Sequence, residues 1–183
     1  LLEFDGIAPG DQLLGLASTG LHANGFSLVR RLIEDAGHDY ADPAPSAPEV
    51  SLADALLRPT RIYVPSCLEA IRAGLIKGLS HITGGGLIEN PPRILPDGTL
   101  ARIDGNAWPM PPLFKWLAQL GGIEALEMAR TFNCGIGMIA VVAAEDAVAA
   151  TALFQAAGET VWPIGVIATT DGPPRVEMNG LVF

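Results

Sequence analysis

Cysteine is scarce in this 183-residue sequence, and long hydrophobic runs are absent. Only Cys67 and Cys134 occur, without a CxxC spacing, which excludes a disulfide framework and favours two reduced, buried thiols over a redox or catalytic thiol. No apolar run reaches the roughly 18–20 residues that a membrane span needs. We therefore expect a cytoplasmic protein without a membrane partner.

Positive charge is scarce as well. Eleven lysines and arginines face 20 acidic residues, which gives a net charge of -9. Nucleic-acid backbones need clustered Lys and Arg, so this balance disfavours nucleic acid as a partner. A small phosphorylated ligand stays compatible, because a few local donors can hold it. Residues 1–6 lack the features of a secretory signal. The chain also does not begin with Met, so we interpret it as a piece of a longer protein.

The length and the 49% hydrophobic content fit one domain, residues 1–183, with a packed core. Strand and helix patterns alternate, which predicts an α/β or α+β fold with a mixed sheet and flanking helices. Asn24 and Gly37 are the expected N-cap and stop of the first helix. Residues 39–50 are predicted as a surface loop. Strands are predicted at residues 12–17, 76–83, 99–104, 134–144, 161–169 and 175–183, and helices near residues 26–36, 51–57, 65–73, 111–121, 124–130 and 146–157.

The segment STGLHANG, residues 18–25, separates the first predicted strand from the first predicted helix. We call it the first corner. Its two glycines permit backbone conformations that a Cβ hinders, and the start of the helix carries partial positive charge. Four of its side chains are polar: Ser18, Thr19, His22 and Asn24. The residue types alone favour a capped strand-to-helix turn, and they are also compatible with a loop that binds a phosphate or another polar group.

The second corner, residues 81–93, reads HITGGGLIENPPR. Three successive glycines cost backbone entropy, which indicates a close approach by ligand or backbone. The segment matches neither the P-loop nor the dinucleotide-binding pattern. Arg93 either binds phosphate or pairs with Glu89 across one helical turn. Two prolines, Pro91 and Pro92, would distort any helix here unless it is short.

A third glycine-containing segment, FNCGIGM at residues 132–138, precedes and enters a predicted strand. Its alternating glycines allow close packing on one strand face, by a ligand or by another part of the chain.

Together these segments closely resemble the C-terminal half of the phosphoribosylformylglycinamidine cyclo-ligase (aminoimidazole ribonucleotide synthetase) family. The resemblance covers the chain essentially end to end. It rests on GLASTGLHANGFSLVR at residues 15–30, RPTRIYV at 58–64, HITGGGLIENPPRILP at 81–96 and RTFNCGIGM at 130–138. Enzymes with a similar fold, such as selenophosphate synthetase and thiamine-phosphate kinase, are not expected to carry all these stretches at once.

The resemblance implies an enzyme that uses ATP and Mg²⁺ to cyclise formylglycinamidine ribonucleotide in purine biosynthesis. Phosphorylation of an amide oxygen turns it into a leaving group, and an amidine nitrogen then closes the imidazole ring. The resemblance also implies a homodimer, and an N-terminal domain, absent from this chain, that supplies most of the ATP and metal site. This chain is then the substrate side of the cleft, without a metal ligand and inactive alone.

The same resemblance implies two walls of a substrate site. One wall comprises Ser18, Thr19, His22 and Asn24, and the other comprises Thr83, Gly84, Gly85, Gly86, Glu89, Asn90 and Arg93. His22 is the candidate for proton transfer. Thr19 and Ala23 stand where the family usually has serine, and only Thr19 keeps the hydroxyl. Two alternatives stay open: another ATP-dependent enzyme of the same superfamily, or a non-catalytic interaction domain.

Overall fold

A computed structural model describes residues 6–183. The prediction that residues 1–6 are not a secretory signal therefore falls almost entirely outside the described residues. The strands are β1 (Gln12–Ala17), β2 (Pro43–Ala44), β3 (Ala47–Ser51), β4 (Gly78–His81), β5 (Thr99–Asp104), β6 (Ile136–Val142), β7 (Val161–Thr169) and β8 (Arg175–Asn179). The α-helices are α1 (Phe26–Ala36), α2 (Leu52–Leu56), α3 (Val64–Arg72), α4 (Gly86–Glu89), α5 (Pro112–Gly121), α6 (Ala125–Thr131) and α7 (Ala147–Ala156), with 3-10 helices at Pro91–Ile94 and Ala144–Asp146.

Six of the strands form one mixed sheet in the spatial order β4-β6-β1-β7-β5-β8. Its neighbours pair antiparallel except β5 and β8, which pair parallel. This confirms the predicted mixed α/β class. In the described part of the chain, no helix has the length and apolar character needed to cross a membrane.

Both faces of the central strands are buried, which explains their continuous apolar sequence. Leu13 of β1 faces a core cluster with α1 and α5, whereas Leu14 and Leu16 face a second cluster with α3 and α7. Helices therefore cover the sheet on two sides. Both cysteines are buried and unpaired, as predicted. Burial raises the pKa of Cys67 to about 11 and also raises the pKa of Cys134, so neither thiol ionises readily at neutral pH.

Most local predictions are confirmed, and strands β1, β5 and β7 have the predicted bounds. The surface-loop prediction for residues 39–50 is wrong in part, because β2 and β3 form a small hairpin there. Its three prolines are exposed: Pro43 and Pro48 lie in the two strands and Pro45 lies in the turn, and a missing N–H costs little at such positions. The last strand ends at Asn179 rather than at residue 183.

The predicted N-cap of α1 is also wrong. Gly25 occupies the cap position with φ 73°, and the helix has no side-chain cap. Asn24 instead donates from Nδ2 to the carbonyl oxygen of Ile82, 3.1 Å away. Gly37 ends the helix as predicted, with φ 71° and its N–H bonded to Glu34. A long-range contact has thus replaced the local cap that the sequence pattern favours.

Candidate functional site

The two corners lie at the same edge of the sheet. Strands β1 and β4 both pair antiparallel with β6, so they run parallel to each other and end at one edge. Each strand leads into a corner there, and the chain enters β6 at that edge too. The bond from Asn24 to the Ile82 carbonyl joins the two corners directly. The two corners therefore lie side by side.

Asn133 is fully buried and organises the first corner. Its Oδ1 accepts hydrogen bonds from Ser18 Oγ (3.0 Å) and from the N–H of Gly135 (2.8 Å). Its Nδ2 donates to the carbonyls of Gly20 (2.8 Å) and Leu21 (3.2 Å). One side chain therefore satisfies four groups of two segments that lie more than a hundred residues apart in sequence.

His22 is 4% exposed and adopts a positive φ of 57°. The N–H groups of Thr19 (3.1 Å) and Arg61 (3.4 Å) both donate to its Nε2. The proton of the neutral ring therefore sits on Nδ1, which is buried and has no hydrogen-bond partner among the described residues. Burial, with a smaller effect of His81, lowers the pKa of His22 from 6.5 to about 4. The ring is neutral at pH 7, and the lone pair of Nε2 accepts the hydrogen bonds of the two backbone N–H groups.

Residues 58–64 cross over the first corner and are fixed to it. Thr19 Oγ1 donates to the Pro59 carbonyl (2.6 Å), and Tyr63 Oη donates to the Ala17 carbonyl (2.7 Å). Arg61 forms an ion pair with Glu159, with 2.6 Å between Arg61 Nε and Glu159 Oε2. Sequence reasoning missed Glu159, because a single acidic residue outside every motif gives no signal. The crossing segment is therefore a structural part of the site.

The third segment packs within the chain. A Cβ at Gly137 would fall on the Tyr63 hydroxyl, and it would lie 2.6 Å from Cε1 of His22. A Cβ at Gly135 would lie 2.7 Å from Cδ of Pro111. Side chains of this protein, rather than a ligand, therefore fill the space beside Gly135 and Gly137.

The second corner is held together by Asn90, which is buried. Its Nδ2 lies within bonding distance of the carbonyls of Thr83, Gly84 and Gly86, and Thr83 Oγ1 donates to its Oδ1. The helix across residues 86–95 is broken, as its prolines require: α4 covers one turn, and a 3-10 helix begins at Pro91. The amide of Asn90 therefore supports this turn from inside.

The charged residues of the second corner are exposed. Glu89 does not pair with Arg93; its Oε1 lies 3.7 Å from Nε of Arg130 on α6. Arg93 makes no ion pair or side-chain hydrogen bond within residues 6–183, so its guanidinium is available to a ligand. No cluster of three or more His, Cys, Asp or Glu that could hold a metal ion occurs in the described part of the chain.

The predicted site residues thus divide into two groups. The polar side chains of one group are engaged within the fold: Ser18, Thr19, His22, Asn24, Thr83 and Asn90. The other group presents exposed surface: Gly84, Glu89 and Arg93. Gly85 and Gly86 have positive φ and shape the turn. The structure brings both walls to one edge, but it leaves few of their side chains free.

Comparison with known proteins gives consistent results. A family model described as AIR synthase related protein, C-terminal domain, matches residues 8–174. Phosphoribosylformylglycinamidine cyclo-ligase of Burkholderia cenocepacia (strain HI2424) is 54% identical over 170 residues, which cover 93% of this chain and 48% of that protein. The chain therefore spans about half the length of this relative.

Two solved structures share the fold at low sequence identity. Thiamine-monophosphate kinase from Stenotrophomonas maltophilia K279a has a TM-score of 0.62 at 18% identity, covering 98% of this chain and 53% of that one. Hydrogenase maturation protein HypE in complex with ATP has a TM-score of 0.59 at 18% identity, covering 96% and 50%. These likenesses concern the fold alone. The family match extends over nearly the whole described chain, and the chain therefore belongs to the AIR synthase related family, as its C-terminal domain.

Proposed function

We propose that the protein containing this chain is the ATP-dependent ligase that cyclises formylglycinamidine ribonucleotide to aminoimidazole ribonucleotide, releasing ADP and phosphate in purine biosynthesis. The observation that carries this proposal is the 54% identity to a phosphoribosylformylglycinamidine cyclo-ligase across 93% of the chain. Both corners lie within the matched family region and meet at one sheet edge. This chain contributes the substrate side of the site.

ATP supplies the phosphoryl group that makes the amide oxygen a leaving group. The described residues do not fit a Mg²⁺ site, since they contain no acidic or histidine cluster that could hold a metal. We propose that ATP and Mg²⁺ are bound mostly by an N-terminal domain that precedes this chain. One solved structure with a similar fold, HypE, is itself a complex with ATP.

The residues of this chain bind and orient the ribonucleotide in this proposal. Gly84, Glu89 and Arg93 are exposed at the second corner and contact the substrate directly. Asn24, Asn90 and Asn133 hold the backbone of the two corners through buried hydrogen bonds. Ring closure requires the two ends of the substrate to be held together, and a rigid frame serves that need.

A role of His22 in proton transfer stays a prediction. Its Nε2 accepts two backbone N–H groups, so the arrangement favours His22 as a neutral ring that positions the first corner. The expected partners of the whole protein are its N-terminal domain and a second copy in a homodimer. Its expected location is the cytoplasm.

The alternative is another ATP-dependent enzyme of the same superfamily, favoured by the fold likeness to thiamine-monophosphate kinase. In the test, the full-length protein and ATP are incubated with one candidate substrate at a time: formylglycinamidine ribonucleotide, thiamine phosphate or selenide. We expect ADP release and imidazole product with the first substrate. Turnover of thiamine phosphate or selenide instead would contradict the proposal. A non-catalytic interaction domain would turn over none of the three.

A variant pair tests the site itself. Asn24→Ala removes the bond between the corners, and we expect at least about a tenfold loss of turnover, roughly 1.4 kcal/mol of barrier. Asn179→Ala, on an exposed side chain of β8, is the control and should keep wild-type turnover. Normal turnover by a folded Asn24→Ala protein would contradict the proposal that the two corners form the substrate site.

A further inference from the structure

A cavity of about 190 Å³ lies beside the first corner. Ser18, Thr19 and Gly20 line one side, Ser46 and Arg58 line another, and the start of α5 closes the third. Sites that hold a whole small molecule usually measure roughly 300–1,000 Å³. This cavity therefore fits one end of a larger ligand.

The cavity is positively charged in a strongly acidic chain. Its lining contains one arginine and no aspartate or glutamate, although the chain as a whole carries a net charge of -9. Arg58 makes no ion pair or side-chain hydrogen bond within residues 6–183. A cation without a partner beside a small concave site attracts an anion, and the planar guanidinium matches the oxygens of a phosphate group.

The position of Arg58 is set by the first corner. A Cβ at Gly20 would lie 3.6 Å from Cβ and 4.0 Å from Cδ of Arg58, so the arginine stem lies across this glycine. The next residue, Pro59, accepts the hydroxyl hydrogen bond of Thr19. The backbone on both sides of the cavity is therefore fixed before a ligand arrives.

Further donors are free at the cavity. The N–H of Gly20 and the hydroxyl of Ser46 take part in none of the hydrogen bonds formed within the described residues. The hydroxyls of Ser18 and Thr19 are used instead to hold the wall, through Asn133 and Pro59. The residues that line the cavity thus include one guanidinium, one hydroxyl and one backbone N–H without a partner among the described residues.

We propose that this cavity binds the phosphate monoester of a phosphorylated ribose, with Arg58 as its charged contact. The inference rests on the proposed function, in which this half of the protein holds the ribonucleotide. The small volume fits a single terminal phosphate, whereas the triphosphate of ATP would need a longer site. The phosphate then anchors one end of the substrate, and the second corner receives the other end.

The test measures binding rather than turnover, so its outcome does not depend on the proposed reaction. Ribose 5-phosphate, ribose and ATP are titrated calorimetrically into the full-length protein and into its Arg58→Ala and Arg58→Lys variants. Arg72→Ala is the matched control, because Arg72 is also exposed but lies at the end of α3 outside the cavity. Thermal unfolding of each variant verifies that it is folded.

We expect ribose 5-phosphate to bind and ribose not to bind. Arg58→Ala should weaken ribose 5-phosphate at least about tenfold, with a smaller loss for Arg58→Lys, because a lysine keeps the charge but not the fork. Arg72→Ala should bind like wild type, and ATP affinity should not depend on Arg58. Equal binding by the two alanine variants, or dependence of ATP alone on Arg58, would overturn the proposal. Binding with these properties in a protein that does not cyclise the ribonucleotide would instead overturn the proposed function.

Discussion

The three successive glycines of the second corner should differ sharply in their tolerance of a side chain. A Cβ at Gly86 would fall on the carbonyl oxygen of Ala129 and lie 2.7 Å from that of Phe132, at a φ of 56°. A Cβ at Gly84 would meet nothing within 4 Å, and Gly84 has no positive φ. Gly86→Ala and Gly84→Ala therefore form a matched pair two residues apart.

The expected magnitudes follow from these contacts. A left-handed conformation costs an L-residue about 1–2 kcal/mol, and overpacking against neighbours costs about 1–3 kcal/mol more. Gly86→Ala should thus lower the free energy of unfolding by roughly 2–5 kcal/mol, because α4 must move away from α6. Gly84→Ala should leave it unchanged or raise it by about 0.4–1 kcal/mol, since alanine restricts the unfolded chain.

Urea unfolding of the 183-residue chain, followed by circular dichroism, measures both variants. With a slope of about 2 kcal/mol per molar urea, Gly86→Ala should move the midpoint down by roughly 1–2.5 M. Equal midpoints for the two variants would refute the packing argument for Gly86. Because Gly84 is exposed at the proposed substrate surface, a change in ribonucleotide KM for Gly84→Ala would report on contact rather than on stability.

Two further predictions concern buried polar groups. Asn133→Ala removes four hydrogen bonds and should lower the free energy of unfolding by roughly 2–6 kcal/mol. The exposed control Asn179→Ala should change it by less than about 0.5 kcal/mol. Similar losses of unfolding free energy for the two variants in urea would contradict the role of Asn133. His22 has a pKa of about 4 in the fold and 6.5 when unfolded, so between these pH values the unfolded chain binds the proton more strongly than the folded chain. The free energy of unfolding should therefore fall as the pH drops from 6.5 to 4, by up to about 3 kcal/mol. His22→Asn should lose this component of the pH dependence, and an unchanged pH profile would contradict it.

Local structure was largely predictable, because its causes are local. Apolar runs, prolines at helix starts and glycines at helix ends placed β1, β5, β7 and α5 within a residue or two. The errors have non-local causes. Asn24 is a good N-cap by type, but a carbonyl of the second corner competes for its side chain. Residues 39–50 look like a loop by composition, and the hairpin there is stabilised by packing of Ala44 in the core.

The sequence by itself determined the family, since several ordered motifs occur together, and it identified both corners as candidate binding segments. Only the tertiary structure decided what their side chains do. Most of the polar groups are consumed by Asn133, by Asn90 and by backbone, while Arg58 and Arg93 are left without partners in the described chain. Sequence lists the donors and acceptors, but folding pairs them across long separations, and the groups left without a partner are the most available to a ligand.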